Sequence, residues 1–303
     1  GDKIKEIVNY RNYKMKILVT GGAGFIGSHV VDALIDKWHE VVIIDNLLSG
    51  KNENLNSRVK FYNIDLREHE KVFEIFEKEK IDVVYHLAAQ IDVRKSVENP
   101  VIDAETNIVN SLNLLELCRK FGVKKFIFSS TGGAIYGDTE LIPTSEAHTE
   151  KPVSPYGCAK LSIEKYLNFY NKVYEMNYTI LRYSNVYGPR QNSEGEAGVI
   201  AIFFNKMFKG ENPVIFGGDQ TRDFVFVKDI VRANLLALAD NKSEIYNVGT
   251  GRETSIIDLF ERMNRFLNNK FSTKIDGKKK GEQERSCLDY KKIKDNLGWE
   301  PEF

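Results

Sequence analysis

The run Lys16-Ile-Leu-Val-Thr20, followed at once by Gly21-Gly-Ala-Gly24-Phe-Ile-Gly27, constrains the fold more than any other part of the chain. A short apolar strand meets glycines spaced by three, and an amphipathic stretch from Phe25 to Lys37 follows. Gly21 permits a tight turn, Gly24 lets backbone approach a ligand, and Gly27 allows close helix packing. The helix N-terminus turns amides and a positive dipole end toward a phosphate. The rest of the chain keeps this rhythm. Strands are expected at Val41–Asp45, Val59–Ile64, Val83–Leu87, Lys125–Ser129 and Thr179–Tyr183. Helical stretches are expected at His69–Lys78, near Val101–Phe121 and at 155–175. Short apolar strands alternating with helices predict an α/β fold with a parallel sheet covered on both faces.

That pattern is a Rossmann-type doubly wound sheet, whose ligands bind beyond the carboxyl ends of the strands. After Tyr183 the pattern loosens. Loops at Gly188-Pro189, 192–198 and 217–219 separate helices near 199–209, 229–239, 255–268 and 289–297. The expected division is an extension over 1–14, a nucleotide-binding domain over 15–183, and a smaller substrate domain over 184–303, parts of which return to the first. Lysine plus arginine equal aspartate plus glutamate, 43 each, so no net basic excess points to nucleic acid or an anionic membrane. The longest apolar runs, such as 41–44 and 126–128, are strand-sized, and no signal segment opens the chain. Cys118, Cys158 and Cys287 are widely spaced and odd in number, as expected of free thiols in a reducing cytoplasm. No metal site is expected.

The chemistry is carried by Ser154-Pro-Tyr156-Gly-Cys-Ala-Lys160. A free phenol has a pKa of about 10 and is a poor base. A lysine one helical turn later puts positive charge beside it and favours phenolate. Such a tyrosine can take the proton of an alcohol being oxidised. Thr131, at the end of Phe126-Ile-Phe-Ser-Ser-Thr131, can relay that proton, while Ser129 and Ser130 hold the loop or a cofactor. Asp45, ending the second strand, suits an adenosine ribose and repels a 2′-phosphate, which favours NAD over NADP. Asp65 is a candidate for the adenine amine. The small residues after the fourth strand, in Leu87-Ala88-Ala89-Gln90, let backbone lie along the nicotinamide ribose. His86 reads as a structural hydrogen-bonding residue, and Asn107 either touches the cofactor or caps a buried backbone group.

Together these residues resemble the extended short-chain dehydrogenase/reductase family, and within it the nucleotide-sugar epimerases. The resemblance runs from about Lys16 to Pro301. It includes Gly21–Gly27, Asp45-Asn46, His86–Ala89, Ser129–Thr131, Tyr156–Lys160 and the run Leu181–Pro189. It continues through Gln220–Val225, Asn247–Gly251 and Leu297-Gly298-Trp299. It implies NAD-dependent 4-epimerisation of a UDP-hexose through a 4-keto sugar. It also adds Phe25, Ile26, Asn46, Ser49, Gly50, Leu66 and Tyr183 to the cofactor-facing set. Asn185 and Arg222 match diphosphate-binding positions; for Arg222 the alternative is a surface ion pair with Asp223 or Asp229. Gly198-Val199-Ile200 and Val214-Ile215-Phe216 match segments that hold the uracil.

The chain departs from the family in places. Gly132-Gly133 stand where the family's dehydratases and decarboxylases carry an acid, so the group for removing a C5 proton is missing. Lys279 replaces an expected phosphate-binding arginine, a contact that then weakens or passes to Arg285. Ser286 aligns with the position that gates pocket size, and a small residue there leaves room for a 2-acetamido group. UDP-GlcNAc and UDP-GalNAc therefore join UDP-glucose and UDP-galactose as expected substrates. UDP-glucuronate or a dTDP-sugar is the alternative, with a non-catalytic NAD sensor behind both. The resemblance also implies a homodimer, with helices 101–121 and 155–175 pairing with their twins, and commonly a further helix past Trp299.

Overall fold

The computed structural model describes residues 13–193, 198–277 and 283–303. Six strands alternate with helices: β1 (Lys16–Thr20), β2 (Glu40–Asp45), β3 (Lys60–Asn63), β4 (Val83–His86), β5 (Lys125–Thr131) and β6 (Asn177–Tyr183). A strand the sequence reading lacked, Glu244–Val248, pairs with β6. The resulting seven-stranded sheet is parallel throughout, in the order Glu244–Val248, β6, β5, β4, β1, β2, β3. This is the α/β doubly wound arrangement, with the strand order reversing between β1 and β4.

The side-chain period of two explains why the strands read as nearly continuous apolar runs. Ile17, Val19, Val41, Ile43, Val83 and Tyr85 pack on one face with helices Phe25–Asp36 and Val227–Ala239. Leu18, Val42, Ile44, Val84, Phe126 and Phe128 pack on the other, with helices His69–Glu79, Asn110–Phe121 and Pro155–Tyr174. A third, smaller core joins Phe203 and Met207 of helix Val199–Phe208 to Ile215 and to Leu259 and Phe260 of helix Ile256–Phe266.

The stretch expected to be helical near Val101–Phe121 is helical from Pro100 to Phe121, with a change of type inside it. Asn99 caps a short helix Pro100–Ala104, a π-helical turn covers Glu105–Val109, and α-helix resumes at Asn110. A further short helix, Val93–Glu98, is capped by Asp92. The helices Val93–Glu98 and Pro100–Ala104 are too short to show a 3.6-residue period, and their caps mark them instead. None of the described helices is long and apolar enough to cross a membrane.

Candidate active site

At the switch point the turn after β1 meets the turn after β4. Gly21 adopts φ +72°, and a Cβ there would come within 2.7 Å of the Ala88 amide nitrogen. A Cβ on Gly27 would lie 2.1 Å from the Gly21 carbonyl oxygen, so helix and turn are packed backbone to backbone. At Gly24 the only near neighbour would be that same oxygen, at 3.2 Å. Helix Phe25–Asp36 starts with no side-chain cap and no acidic residue in its first turn. Its leading amides and dipole end are thus left for an anion. Asp45 accepts from the amides of Ala23 (3.0 Å) and Leu47 (2.8 Å), tying the glycine turn to the end of β2. Asn46 donates to Asp65 at 2.7 Å, and Arg67 grips the same carboxylate and holds its pKa well below the usual range. These residues fit a dinucleotide: a phosphate at the glycine turn, a ribose at Asp45, an adenine beyond. Ser49 is exposed; Gly50 is half-buried, and a Cβ there would lie 2.9 Å from Asp45 Oδ1. Leu66 packs against the core beneath helix His69–Glu79.

After β4, Leu87, Ala88, Ala89 and Gln90 are half-buried. Asn107 accepts from the Gln90 amide (2.8 Å) and donates to the Gln90 carbonyl (2.9 Å), so its side chain holds buried backbone. His86 bonds Thr20 Oγ1 at 2.7 Å and Ser111 Oγ at 2.8 Å. Burial pulls its pKa down to about 3, which keeps it neutral and structural.

Helix Pro155–Tyr174 delivers Tyr156 and Lys160. Ser154 caps it by accepting from Gly157 N at 3.1 Å, and Pro155 occupies the first turn, where no amide partner is lost. The Tyr156 amide donates to Ser96 Oγ at 3.3 Å, tying the start of this helix to helix Val93–Glu98. Lys160 is buried. Its Nζ donates to the Ser129 carbonyl at 2.8 Å and lies 5.9 Å from the Tyr156 ring centroid. β5 runs two residues beyond the expected end, which brings Thr131 into register with Tyr183. Thr131 Oγ1 accepts from Ala134 N at 3.3 Å.

Ser130 holds the end of β5 in place. Strand alternation turns Ser130 toward helix Pro155–Tyr174, where its hydroxyl donates to Glu164 Oε1 at 2.6 Å. Ser129 meets the site through its carbonyl, which receives Lys160. Tyr183 is also engaged, its hydroxyl accepting from Asn234 Nδ2 at 2.8 Å.

The electrostatics of the Tyr156–Lys160 pair are set by burial as well as by charge. Burial pushes the Tyr156 phenol up, and Asp103 adds to the effect. Burial pulls the Lys160 ammonium down to about 8, against Asp103 and Glu164. Behind the pair, Glu164 takes Ser130 and a bidentate Arg182, which also donates to Tyr136 Oη (2.7 Å) and Glu150 (2.9 Å). This buried network clamps the end of β5 to the helix bearing Tyr156. Glu164 lies one turn past Lys160 on the same face, a spacing from which it was readable.

The residues expected to hold substrate lie in the C-terminal half. Asn185 is exposed on strand Asn185–Tyr187, which pairs with Phe224–Phe226. Arg222 Nη1 donates to the Thr221 carbonyl at 2.8 Å. Asp223 and Asp229 are fully buried, Asp223 receiving Thr250, Gly251 and Leu288, and Asp229 receiving Arg232 and the amides of Glu302 and Phe303. Gly198 precedes helix Val199–Phe208, and Val199 and Ile200 join Ile215 in the third core, so the two expected uracil segments meet. Val214 is half-buried and Phe216 exposed. Arg285 forms a bidentate pair with Glu253, at 2.9 and 2.6 Å. Ser286 is buried, and a Cβ on Gly133 would lie 3.5 Å from its Oγ, so the two residues are neighbours. Lys279 lies outside the described residues.

With this geometry in place, comparison with known proteins is informative. Residues 17–249 match the model of the NAD dependent epimerase/dehydratase family. The chain belongs to that family. A putative UDP-glucose 4-epimerase of Methanocaldococcus jannaschii is 49% identical over 288 residues, 95% of this chain and 93% of the relative. The crystal structure of Thermotoga maritima UDP-glucose 4-epimerase with UDP-glucose superposes with a TM-score of 0.93 at 51% identity, covering 95% and 94% of the two chains. The Thermus thermophilus UDP-glucose 4-epimerase complex with NAD gives 0.90 at 41% identity, again covering 95% and 94%.

Proposed function

We propose that this chain is an NAD-dependent UDP-hexose 4-epimerase. The observation that carries it is the placement of Tyr156, Lys160 and Thr131 at the carboxyl end of β5, near the glycine turn after β1, with Gly132-Gly133 following Thr131. Gly21–Gly27 and Asp45 would hold the cofactor's phosphates and ribose. The chemistry supplied by bound NAD+ is reversible uptake of the hydride from the sugar's C4. Tyr156 takes the C4 hydroxyl proton, directly or through Thr131, and returns it to the same oxygen after the sugar has turned, when C4 would take the hydride back on its opposite face. Lys160 holds the nicotinamide ribose and keeps a positive charge beside the phenol. Asn185, Arg222 and Arg285 anchor the diphosphate while the 4-keto sugar turns, and the apolar segments at 198–200 and 214–216 grip the uracil. With glycines after Thr131, C5 has no acid–base partner and the reaction stops at epimerisation. Ser286 beside Gly133 supports acceptance of 2-acetamido sugars.

The test is product analysis by NMR with UDP-galactose, UDP-GalNAc and UDP-glucuronate, each with and without added NAD. The C4 epimer should form, and Tyr156→Phe should lower turnover by about 100-fold or more with NAD binding retained. No conversion of any UDP-sugar, even with NAD, would defeat the assignment.

We further propose a homodimer. Val101, Ile102, Val109, Tyr166, Phe169 and Val173 are exposed on the two helical segments expected to pair with a second copy. Light scattering should give twice the chain mass; a monomer mass at working concentration would contradict this. The free thiols of Cys118, Cys158 and Cys287 support a reducing, cytoplasmic setting.

A further inference from the structure

Asp103 lies on the short helix Pro100–Ala104, which packs against the helix carrying Tyr156 and Lys160. It is only 2% exposed. Oδ1 accepts from Gln90 Nε2 at 3.0 Å and from Asn107 Nδ2 at 2.9 Å. Those bonds fix which way the Asn107 amide points, and Asn107 then holds Gln90 by both its amide and its carbonyl. The other oxygen, Oδ2, is buried without a hydrogen-bond partner among the described residues. Buried carboxylates are rare unless paired, and an orphaned oxygen is a cost that the fold alone does not explain. A π-helical turn starts two residues later, a feature that recurs beside functional sites.

We propose that Asp103 is a positioning residue for the proton transfer at Tyr156: its carboxylate fixes the Gln90–Asn107 clamp and balances Lys160, so that the phenol releases its proton only when further positive charge enters the pocket. The inference rests on the reading of Tyr156 as the proton acceptor. An anion near a phenol opposes phenolate, and a cation favours it. Asp103 acts on both members of the pair in that sense, raising Tyr156 and opposing the fall of Lys160. The other charged groups around the pair are differently placed. Glu164, on the same helix, is bonded to Arg182 and Ser130. His86, at the end of β4, is held neutral by burial. Arg94, Lys95, Glu98 and Glu105, on the flanking turns, are exposed and screened by water. With Asp103 present, the phenol keeps its proton beside a neutral nicotinamide and yields it beside a positive one, so proton and hydride move in step.

Asp103→Asn keeps the shape and an oxygen for Gln90 and Asn107 but removes the charge. Phenolate absorbance is titrated in the parent and in this variant, with and without NAD+. Each curve has its Tyr156→Phe counterpart subtracted, which isolates one phenol among 14 tyrosines. The Tyr156 midpoint should fall by about one pH unit in the variant. The acid limb of kcat should move with it, so that one unit below the parent midpoint the variant keeps about fivefold more of its plateau rate. Asp103→Glu, with the charge restored, should titrate like the parent. Equal midpoints in parent and Asn variant overturn the proposal. If Asp103→Asn does not fold, Asp103→Ser takes its place; if neither neutral variant folds, Asp103 serves the fold and the proposal is lost. A shifted phenolate titration with no UDP-sugar converted would uphold the role of Asp103 and sink the epimerase reading instead.

Discussion

Lys125 opens β5 as an ammonium only 2% exposed, its Nζ donating to the Asp240 carbonyl. Burial pulls its pKa down to about 8, against the nearby Asp240 charge. The unfolded chain therefore binds a proton that the folded chain lacks between about pH 8 and 10, and stability rises with pH across that window. The gain is on the order of 2 kcal/mol. Thermal melts of Lys125→Met should show a smaller rise in Tm from pH 8 to 10 than the parent; an identical rise would mean that the ammonium is better solvated than its burial implies. Above pH 10 the buried phenols of Tyr136 and Tyr183 act oppositely, because the unfolded chain ionises first. No sequence pattern marks Lys125 as buried. It stands at the head of an apolar run, where lysine ordinarily sits in water, and only the neighbouring strands β4 and β6 enclose it.

The helix Pro155–Tyr174 was legible as an element because Ser-Pro gives a cap and a first-turn proline, and the apolar spacing persists for five turns. Its cap also sets where Tyr156 stands. Ser154→Ala should cost about 1 kcal/mol in urea denaturation, and Ser154→Gly less, because glycine leaves the end amides open to water. Equal costs would show that packing rather than the cap fixes this end. The helical pieces between Asp92 and Phe121 were less legible. A π-turn has the composition of an α-helix, and here Asn107 within it bonds Gln90 and Asp103 outside it.

At the scale of the molecule, the C-terminal half is stitched back onto the sheet. Strand Glu244–Val248 extends it, and Trp299, fully buried, packs with the helix side of the first core and donates from Nε1 to the Asp229 carbonyl at 2.9 Å. Trp299→Ala should therefore destabilise the whole fold by roughly 3–5 kcal/mol in a single denaturation transition. A separate early transition would instead show that the C-terminal segment melts alone. The glycine turn, the strand–helix alternation and the Tyr156–Lys160 spacing were local, set by backbone freedom, side-chain period and one helical turn, so the sequence by itself determined six of the sheet's strands, the glycine turn and the placing of Tyr156 and Lys160 on one helix. The seventh strand, the turning of Ser130 to Glu164, the meeting of Ser286 with Gly133 and the burial of Asp103 join residues far apart in the chain or depend on how completely water is excluded. Those were decided only by the tertiary structure, because burial and long-range hydrogen bonding are properties of the packed whole.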